Sequence, residues 1–406
     1  MRKLLIKNFG PVRNEKGMEI SISPVTVIIG EQGSGKSTIA KLISEFSWLE
    51  KSIESGDYTK KEVVQYNRFR KNHCAYHGIQ NYFSPDTYIR FTGDKFVFEY
   101  KEGHLSITDS RNNGYLRPQV MYFPAERNLV SAIEGADKIK RLPGAVATLL
   151  DEYNRALRES KDGLINLPIN GYSILYDKLN KVTWLNGKGM KVRTQEAASG
   201  FQSLIPLSVV SNYFDSLVTN NSSQEVVIDS AAERQRIEKT IQSILRDKTI
   251  DSSIKAVLLK ELGMGKRNRR FINVVEEPEQ NLFPMSQKFI LFELLRIKNS
   301  IQQNELVFTT HSPYLINYLS LAIKAYSIQN SISGDNSQVL ESIVPAASRV
   351  PGNQVSVYVT SSDGSISMLD KYDGMPSDNN ALNALLEDSN VLFEKLLDLE
   401  EQSYGA

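Results

Sequence analysis

Val25-Thr26-Val27-Ile28-Ile29-Gly30-Glu31-Gln32-Gly33-Ser34-Gly35-Lys36-Ser37-Thr38 is the stretch that decides the fold. An apolar run leads into GEQGSGKS, and Ile39, Leu42, Ile43, Phe46 and Leu49 then recur at helical spacing. The pattern G-x-x-x-x-G-K-[ST], set between a strand and a helix, is the phosphate-cradling P-loop. Its glycines let the backbone curl so that successive N–H groups face phosphate oxygens. Lys36 is placed to reach the β- and γ-phosphates, and the Ser37 hydroxyl to hold Mg2+. A helix opening near Ser37 adds its positive end. Gly30, Gln32, Gly33, Ser34, Gly35, Lys36, Ser37 and Thr38 are therefore the candidate phosphate-binding residues.

Bulk properties set the frame. A chain of 406 residues buries a large core and carries one elaborated domain or two. With 41% hydrophobic and 23% charged residues, it has the composition of a soluble globular protein. No apolar stretch approaches the roughly 18 residues that a membrane span needs. The start, MRKLLIKNFG, is basic, but its apolar run is too short for a signal peptide; it reads as a first strand. Cys74 is the only cysteine, so no disulfide framework exists and a reducing cytoplasm is expected. A net charge of +1 does not demand nucleic acid; any such surface would be a local patch.

Along the chain, residues 87–126 have strand character broken at Gly93-Asp94 and Glu102-Gly103, which predicts an antiparallel meander. Residues 144–160 read as a helix. A hairpin turns at Asn186-Gly187-Lys188-Gly189, and residues 203–262 look mainly helical. Strands return at Phe271–Val275 and Leu306–Thr309. Residues 331–354 read as loop-rich, Val355–Thr360 and Ile366–Leu369 as a late hairpin, and the tail from Asn390 as an amphipathic last helix. Neither internal repeats nor sustained heptads stand out.

Three further motifs carry chemistry. Phe271 to Glu279 is a mostly apolar strand ending in Glu276-Glu277-Pro278-Glu279. Strand alternation turns Glu276 and Glu277 apart. One carboxylate can then serve the Mg2+ shell and the other orient a water. Alone, this pattern is a strand entering a charged turn; the P-loop gives it weight. Glu305 to Pro313 is a second buried strand, delivering His311 at the edge where ligands bind in open α/β sheets. Ala197-Ala198-Ser199-Gly200-Phe201-Gln202 places a hydroxyl and backbone N–H groups at a helix start, an arrangement suited to anions and also an ordinary cap.

The order P-loop, Ser-Gly helix, hydrophobic-Glu-Glu, strand-His resembles the ABC-type ATPase heads, which include transporter ATPases, SMC and RecF-type chromosome proteins and the OLD-like ATPases of bacterial defence. The resemblance covers most of residues 1–345. It implies an α/β P-loop NTPase of ABC-ATPase type: a mostly parallel central sheet, an antiparallel β-subdomain and helical insertions. It divides the chain into 1–130, an N-terminal lobe; 131–210, a helical segment, hairpin and signature; 211–270, a helical insertion; 271–345, the Glu-Glu and histidine lobe; and 346–406, a C-terminal hairpin and helix. Carried over, Glu276 takes the Mg2+ role with Ser37, Glu277 the general base, and His311 the switch. Ser199 and Gly200 complete a partner's site in trans, so that two heads sandwich ATP as a homodimer or higher homo-oligomer. Glu-Glu-Pro-Glu, Thr-Thr-His-Ser-Pro and Tyr122-Phe123-Pro124-Ala125-Glu126-Arg127 look most like the OLD-like group. The departures are Ala-Ser-Gly-Phe-Gln for the usual Leu-Ser-Gly-Gly, and Glu276 for the usual Asp. The Asp-x-Asp of a TOPRIM nuclease does not occur after His311. The resemblance therefore implies an ATPase that acts through a separate effector, a nuclease or toxin, in anti-phage defence or toxin control. The alternative is a RecF- or SMC-like DNA-repair ATPase, and behind it a transporter subunit.

Weaker signals complete the reading. Gln119 or the Glu126–Arg127 pair stands where the family couples the γ-phosphate site to the head. His73, Cys74 and His77 cluster, but lack a paired set of zinc ligands. Lys266, Arg267, Arg269 and Arg270, and Lys138, Lys140 and Arg141, are basic runs that read as solvated loops, with a nucleic-acid contact left open. Leu392–Leu397 reads as a docked terminal helix.

Overall fold

The computed structural model describes residues 2–110, 114–133, 141–169, 171–219 and 268–404, with isolated residues between them. Most of the 211–270 segment and the basic residues Lys138, Lys140, Lys266 and Arg267 lie outside the described residues. The chain opens with β1 (Lys3–Phe9), β2 (Ile20–Ser21) and β3 (Val25–Gly30), followed by α1 (Lys36–Glu54). A short helix α2 (Lys60–Val64) and a π-helical turn (Phe69–Cys74) lead to β4 (Phe83–Thr92), β5 (Phe96–Lys101), β6 (His104–Asp109) and β7 (Pro118–Phe123). Next come α3 (Leu129–Ala132), α4 (Gly144–Glu159), β8 (Leu164–Asn166), β9 (Tyr172–Asp177), β10 (Val182–Gly187), β11 (Met190–Arg193) and α5 (Ser199–Thr219). The second half holds β12 (Arg270–Glu276), α6 (Pro284–Ser300), β13 (Glu305–Thr310), α7 (Pro313–Ile328) and α8 (Asp335–Ile343). It ends with β14 (Val355–Thr360), β15 (Ile366–Met368), β16 (Lys371–Tyr372), β17 (Met375–Pro376) and α9 (Ala381–Tyr404).

Among the described residues, the central sheet has the order β15-β14-β3-β13-β12-β7. Every pairing from β14 to β7 is parallel, and β15 closes the edge antiparallel to β14. Its strands are buried on both faces, which is why they read as near-continuous apolar runs. Strand alternation divides them between two cores. Val25, Val27, Ile29, Phe271, Val275, Leu306 and Phe308 pack with α4, α5, α6 and α7. Ile28, Ile272, Val274 and Val307 face the other way, onto α1. Beyond α1 lies the antiparallel sheet β2-β1-β4-β5-β6, whose Leu4, Ile6, Ile89, Phe91 and Phe98 cover the far side of the helix. The P-loop helix is thus sandwiched between two sheets, with Phe46 stacked on Phe69 and Phe91. A buried ion cluster joins those sheets: Arg270 meets Asp94 at 2.5 Å and Glu305 at 3.2 Å, and Arg2 meets Glu305 at 2.5 Å. This is the expected α/β architecture, a mostly parallel sheet with an antiparallel subdomain.

Three expectations are corrected. The stretch read as loop-rich contains α8. The late hairpin forms, but β14 also pairs in parallel with β3, so residues 346–406 contribute a strand to the main sheet. Within β14 the Ser356 hydroxyl is buried against the Ser23 hydroxyl at 2.7 Å. The last helix does not dock over its distal part: residues 391–400 are all exposed.

Candidate active site

The register of the central sheet aligns the predicted motifs at one edge. Glu276 stands opposite Thr309, Thr310 opposite Ile29, and Thr360 opposite Gly30. The loop after β3 and the turns after β12 and β13 therefore leave the sheet side by side, at the carboxyl ends where open α/β sheets bind ligands. The loop itself is strained in the way its glycines allow. Gly30 has φ +149°, and a Cβ there would lie 2.1 Å from the Thr360 carbonyl oxygen. Gly33, at φ +79°, has nothing within 4 Å of that position and fronts open space. Lys36 folds back over the loop and donates to the carbonyls of Gly30 at 2.9 Å and Glu31 at 2.7 Å. Burial lowers its pKa to about 8, against the opposing pull of Glu277, Glu279 and Glu276. Thr360, which the sequence reading did not single out, braces the loop: its hydroxyl lies 2.6 Å from that of Ser34 and donates to the Ile29 carbonyl.

The acidic turn is equally specific. Glu276 is buried at the end of β12, and its Oε1 has no hydrogen-bond partner. Glu277 follows with φ +44°, a conformation that a non-glycine residue adopts at a cost of about 1–3 kcal/mol. Its N–H donates to the Thr309 carbonyl at 3.0 Å. Its carboxylate is half exposed and lies 3.3 Å from His311 Nε2. The His311 imidazole beside it holds the Glu277 carboxyl below the usual range, against the effect of burial. Glu279 is the hidden brace of this pair. Its Oε1 accepts from the Thr310 hydroxyl at 2.7 Å and the His311 N–H at 2.8 Å, and burial pushes its pKa up.

Arg127, after β7, reaches the acidic turn. It is fully buried and donates to the carbonyls of Glu276 at 2.6 Å, Glu277 at 2.5 Å and Ser203 at 3.1 Å. Burial lowers its pKa to about 10, while Glu279, Glu277 and Glu276 raise it. Gln119 sits at the opposite end of β7, level with Phe271, and accepts from Asn268. Ser199 and Gly200 open α5. Ser199 is exposed, and Gly200 packs so closely on the acidic turn that a Cβ would lie 2.7 Å from the Asn281 carbonyl.

The donor set fits a hard divalent cation. A buried carboxylate oxygen lacks a partner at Glu276, and Ser37 supplies a hydroxyl at the helix start. The cradle fits phosphate, since Gly33 leaves its space open. The histidine–cysteine cluster does not read as a metal site. His73 Nδ1 lies 3.0 Å and His77 Nε2 3.3 Å from the Glu45 carboxylate, and Cys74 is buried with its thiol pKa raised. Among the described residues, no group of three or more His, Cys, Asp or Glu could hold a metal ion.

Comparison with known proteins follows from this geometry. Residues 1–256 match the family model described as AAA ATPase domain. Among curated proteins none matches. Solved structures similar to the chain include the SMC head domain from Thermotoga maritima, at 10% identity and TM-score 0.36, covering 91% of this chain and 98% of that one. The Smc head domain with an extended coiled coil bound to the C-terminal domain of ScpA, derived from Pyrococcus furiosus, is 11% identical, with TM-score 0.36 and coverage of 98% and 100%. A nucleotide-free ATP-binding cassette from an ABC transporter is 12% identical, with TM-score 0.26 and coverage of 92% and 93%. Among the described residues, no helix is long and apolar enough to cross a membrane. The fold is that of a P-loop ATPase, and a family model that matches more than half of the chain agrees with it: this chain belongs to the AAA ATPase domain family.

Proposed function

We propose that the chain is an ABC-type ATPase head that hydrolyses ATP in a site shared between two copies. The residues from Gly30 to Thr38 cradle the phosphates, with Lys36 turning from the loop carbonyls to the β- and γ-phosphates. Ser37 and Glu276 hold Mg2+, which neutralises phosphate charge when bound. Glu277 accepts a proton from the attacking water, and His311 orients that carboxylate and follows the γ-phosphate. Ser199 and Gly200 of one copy close the site of the other. The observation that carries this reading is the Glu277–His311 pair, 3.3 Å apart beside the P-loop, with Glu277 held in left-handed backbone.

Two substitutions test it. Lys36→Ala is expected to abolish ATP binding. Glu277→Gln is expected to keep binding and lose turnover by about 10²–10⁴, the usual contribution of a base. Equilibrium binding of labelled ATP and phosphate release measure the two separately. Near-normal phosphate release from Glu277→Gln would sink the assignment. The engaged pair is the state that gates a separate effector protein, a nuclease or toxin, in bacterial anti-phage defence or toxin control within the cytoplasm. That step rests on resemblance to OLD-like ATPases. Co-expression with the product of the adjacent open reading frame tests it: a complex whose toxicity or cutting depends on Lys36 supports it, and free coexistence of the two proteins does not.

A further inference from the structure

Strand β7 ends the central sheet, and beside it lies a cavity of about 370 Å3 walled by α1, the π-helical turn, α4 and α5. That size is in the range of small-molecule sites. Its mouth is open to solvent at Trp48, 38% exposed, and Tyr58, 36% exposed, while Glu45 and Tyr122 are buried deeper in. None of the residues from Gly30 to Thr38 lines it.

Aromatic rings line the cavity in two groups. Trp48, Tyr58 and His73 stand tilted or edge to face, with centroids 5.8 to 5.9 Å apart. Behind them Tyr76 meets His77, and His77 meets Tyr122, each at 4.8 Å and near a right angle. The charges lean one way. Among the described residues that line the cavity, Glu45 and Glu152 are acidic and Lys51 is the one lysine or arginine. Burial raises the Glu45 pKa, but hydrogen bonds from His73 and His77 outweigh it, so the carboxylate is ionised. Ring faces carry the negative part of the ring quadrupole, and a cation against them gains most where water is excluded. An anion would meet two carboxylates. A neutral molecule would gain contact with the rings and nothing from the charges. A weakly hydrated cation answers both.

We propose that this cavity binds a small organic cation, an alkylated ammonium ion, between the rings at the mouth and the carboxylates of Glu45 and Glu152. The occupant would lie one side chain from the acidic turn. Tyr122 lines the cavity, and burial and then the Glu276 carboxylate push its hydroxyl pKa well above the ordinary value. Binding needs none of the roles given to Lys36, Glu277 or Ser199.

Choline is the probe, with the full chain as the protein. Equilibrium dialysis of labelled choline measures binding. Trp48 emission locates it in a Trp184→Phe chain, where Trp48 is the one tryptophan left of two. Choline is expected to be retained and to shift that emission. Its carbon isostere, with a tert-butyl group in place of the trimethylammonium, is expected to bind at least about tenfold more weakly. Tyr58→Ala at the mouth and Glu152→Gln on α4 change positions that solvent reaches. Each should leave the thermal midpoint unchanged and raise the choline dissociation constant at least about threefold. Lys36→Ala, which loses ATP, should bind choline as wild type does, so that failure of the ATPase reading and failure of this one are told apart. No retained choline overturns the proposal, and so does an isostere that binds equally well, which would leave an apolar cavity only. Retention without a change in Trp48 emission, or unaltered by both variants, places the cation elsewhere and overturns it too.

Discussion

At the scale of single residues, Arg127 carries more than its sequence position suggests. Its fully buried guanidinium donates to four backbone carbonyls, two in the acidic turn, one in α5 and that of Pro124. Arg127→Ala strips those carbonyls of partners in a buried place. Hydrogen bonds to a charged group are worth about 1.5–3 kcal/mol each, so a loss of about 3 kcal/mol or more in urea unfolding is expected. ATP turnover should fall with it, because Glu277 loses the anchor of its turn. Arg127→Lys should recover little, since a point charge cannot span the four acceptors. A variant that unfolds like wild type would contradict this role. Glu45 gives a pH test. Burial raises its pKa, but the hydrogen bonds from His73 and His77 outweigh it, and the folded value lies below the ordinary one. A depressed carboxyl stabilises the fold fully above its unfolded value of about 4.3 and loses that contribution as pH falls through the folded value. Glu45→Gln should therefore cost about 3 kcal/mol near pH 7, the penalty of breaking a buried pair. The difference from wild type should shrink below about pH 4. A gap that is constant down to acid unfolding would contradict the argument.

At the scale of elements, the P-loop is held from both sides, by the helix it starts and by the strand it touches. Gly30→Ala drives a Cβ into the Thr360 carbonyl and forces β3 from β14. It should destabilise the protein by more than about 3 kcal/mol, seen as a lowered denaturation midpoint. Gly33→Ala meets no atom and costs only the left-handed backbone, about 1–2 kcal/mol, while obstructing the open space proposed for phosphate. It should fold and bind ATP poorly; the reverse order of the two stabilities would contradict the geometry. The same elements explain what could be read in advance. Strand, loop and α1 were legible because glycine spacing and helical periodicity are local. The meander β4-β5-β6 was legible from its turns. The place of β14 was not, since pairing with β3 joins residues more than three hundred apart. Nor was the partner of His73 and His77, because Glu45 lies on a different element, α1. Glu279 was visible as a letter in Glu-Glu-Pro-Glu; its grip on Thr310 and His311 exists only once β12 and β13 pair.

At the scale of the whole molecule, the two cores divide the labour. One fixes α1 behind the P-loop, and the other carries α5 with Ser199 at its exposed start. A hydroxyl that faces outward on one copy suits the account in which two copies complete each other's sites around a two-fold axis. ATP should then promote self-association, most visibly in Glu277→Gln, where hydrolysis no longer ends the engaged state. The most direct test mixes two inactive proteins, Lys36→Ala and Ser199→Arg, and measures phosphate release. Each mixed pair holds one doubly broken site and one intact site, formed by the P-loop of the Ser199→Arg copy and the Ser199 of the Lys36→Ala copy. At equal amounts about half the pairs are mixed, so recovery to about a quarter of the wild-type rate is expected. No recovery at any ratio, with mixed pairs shown to form, would contradict a site shared between two copies.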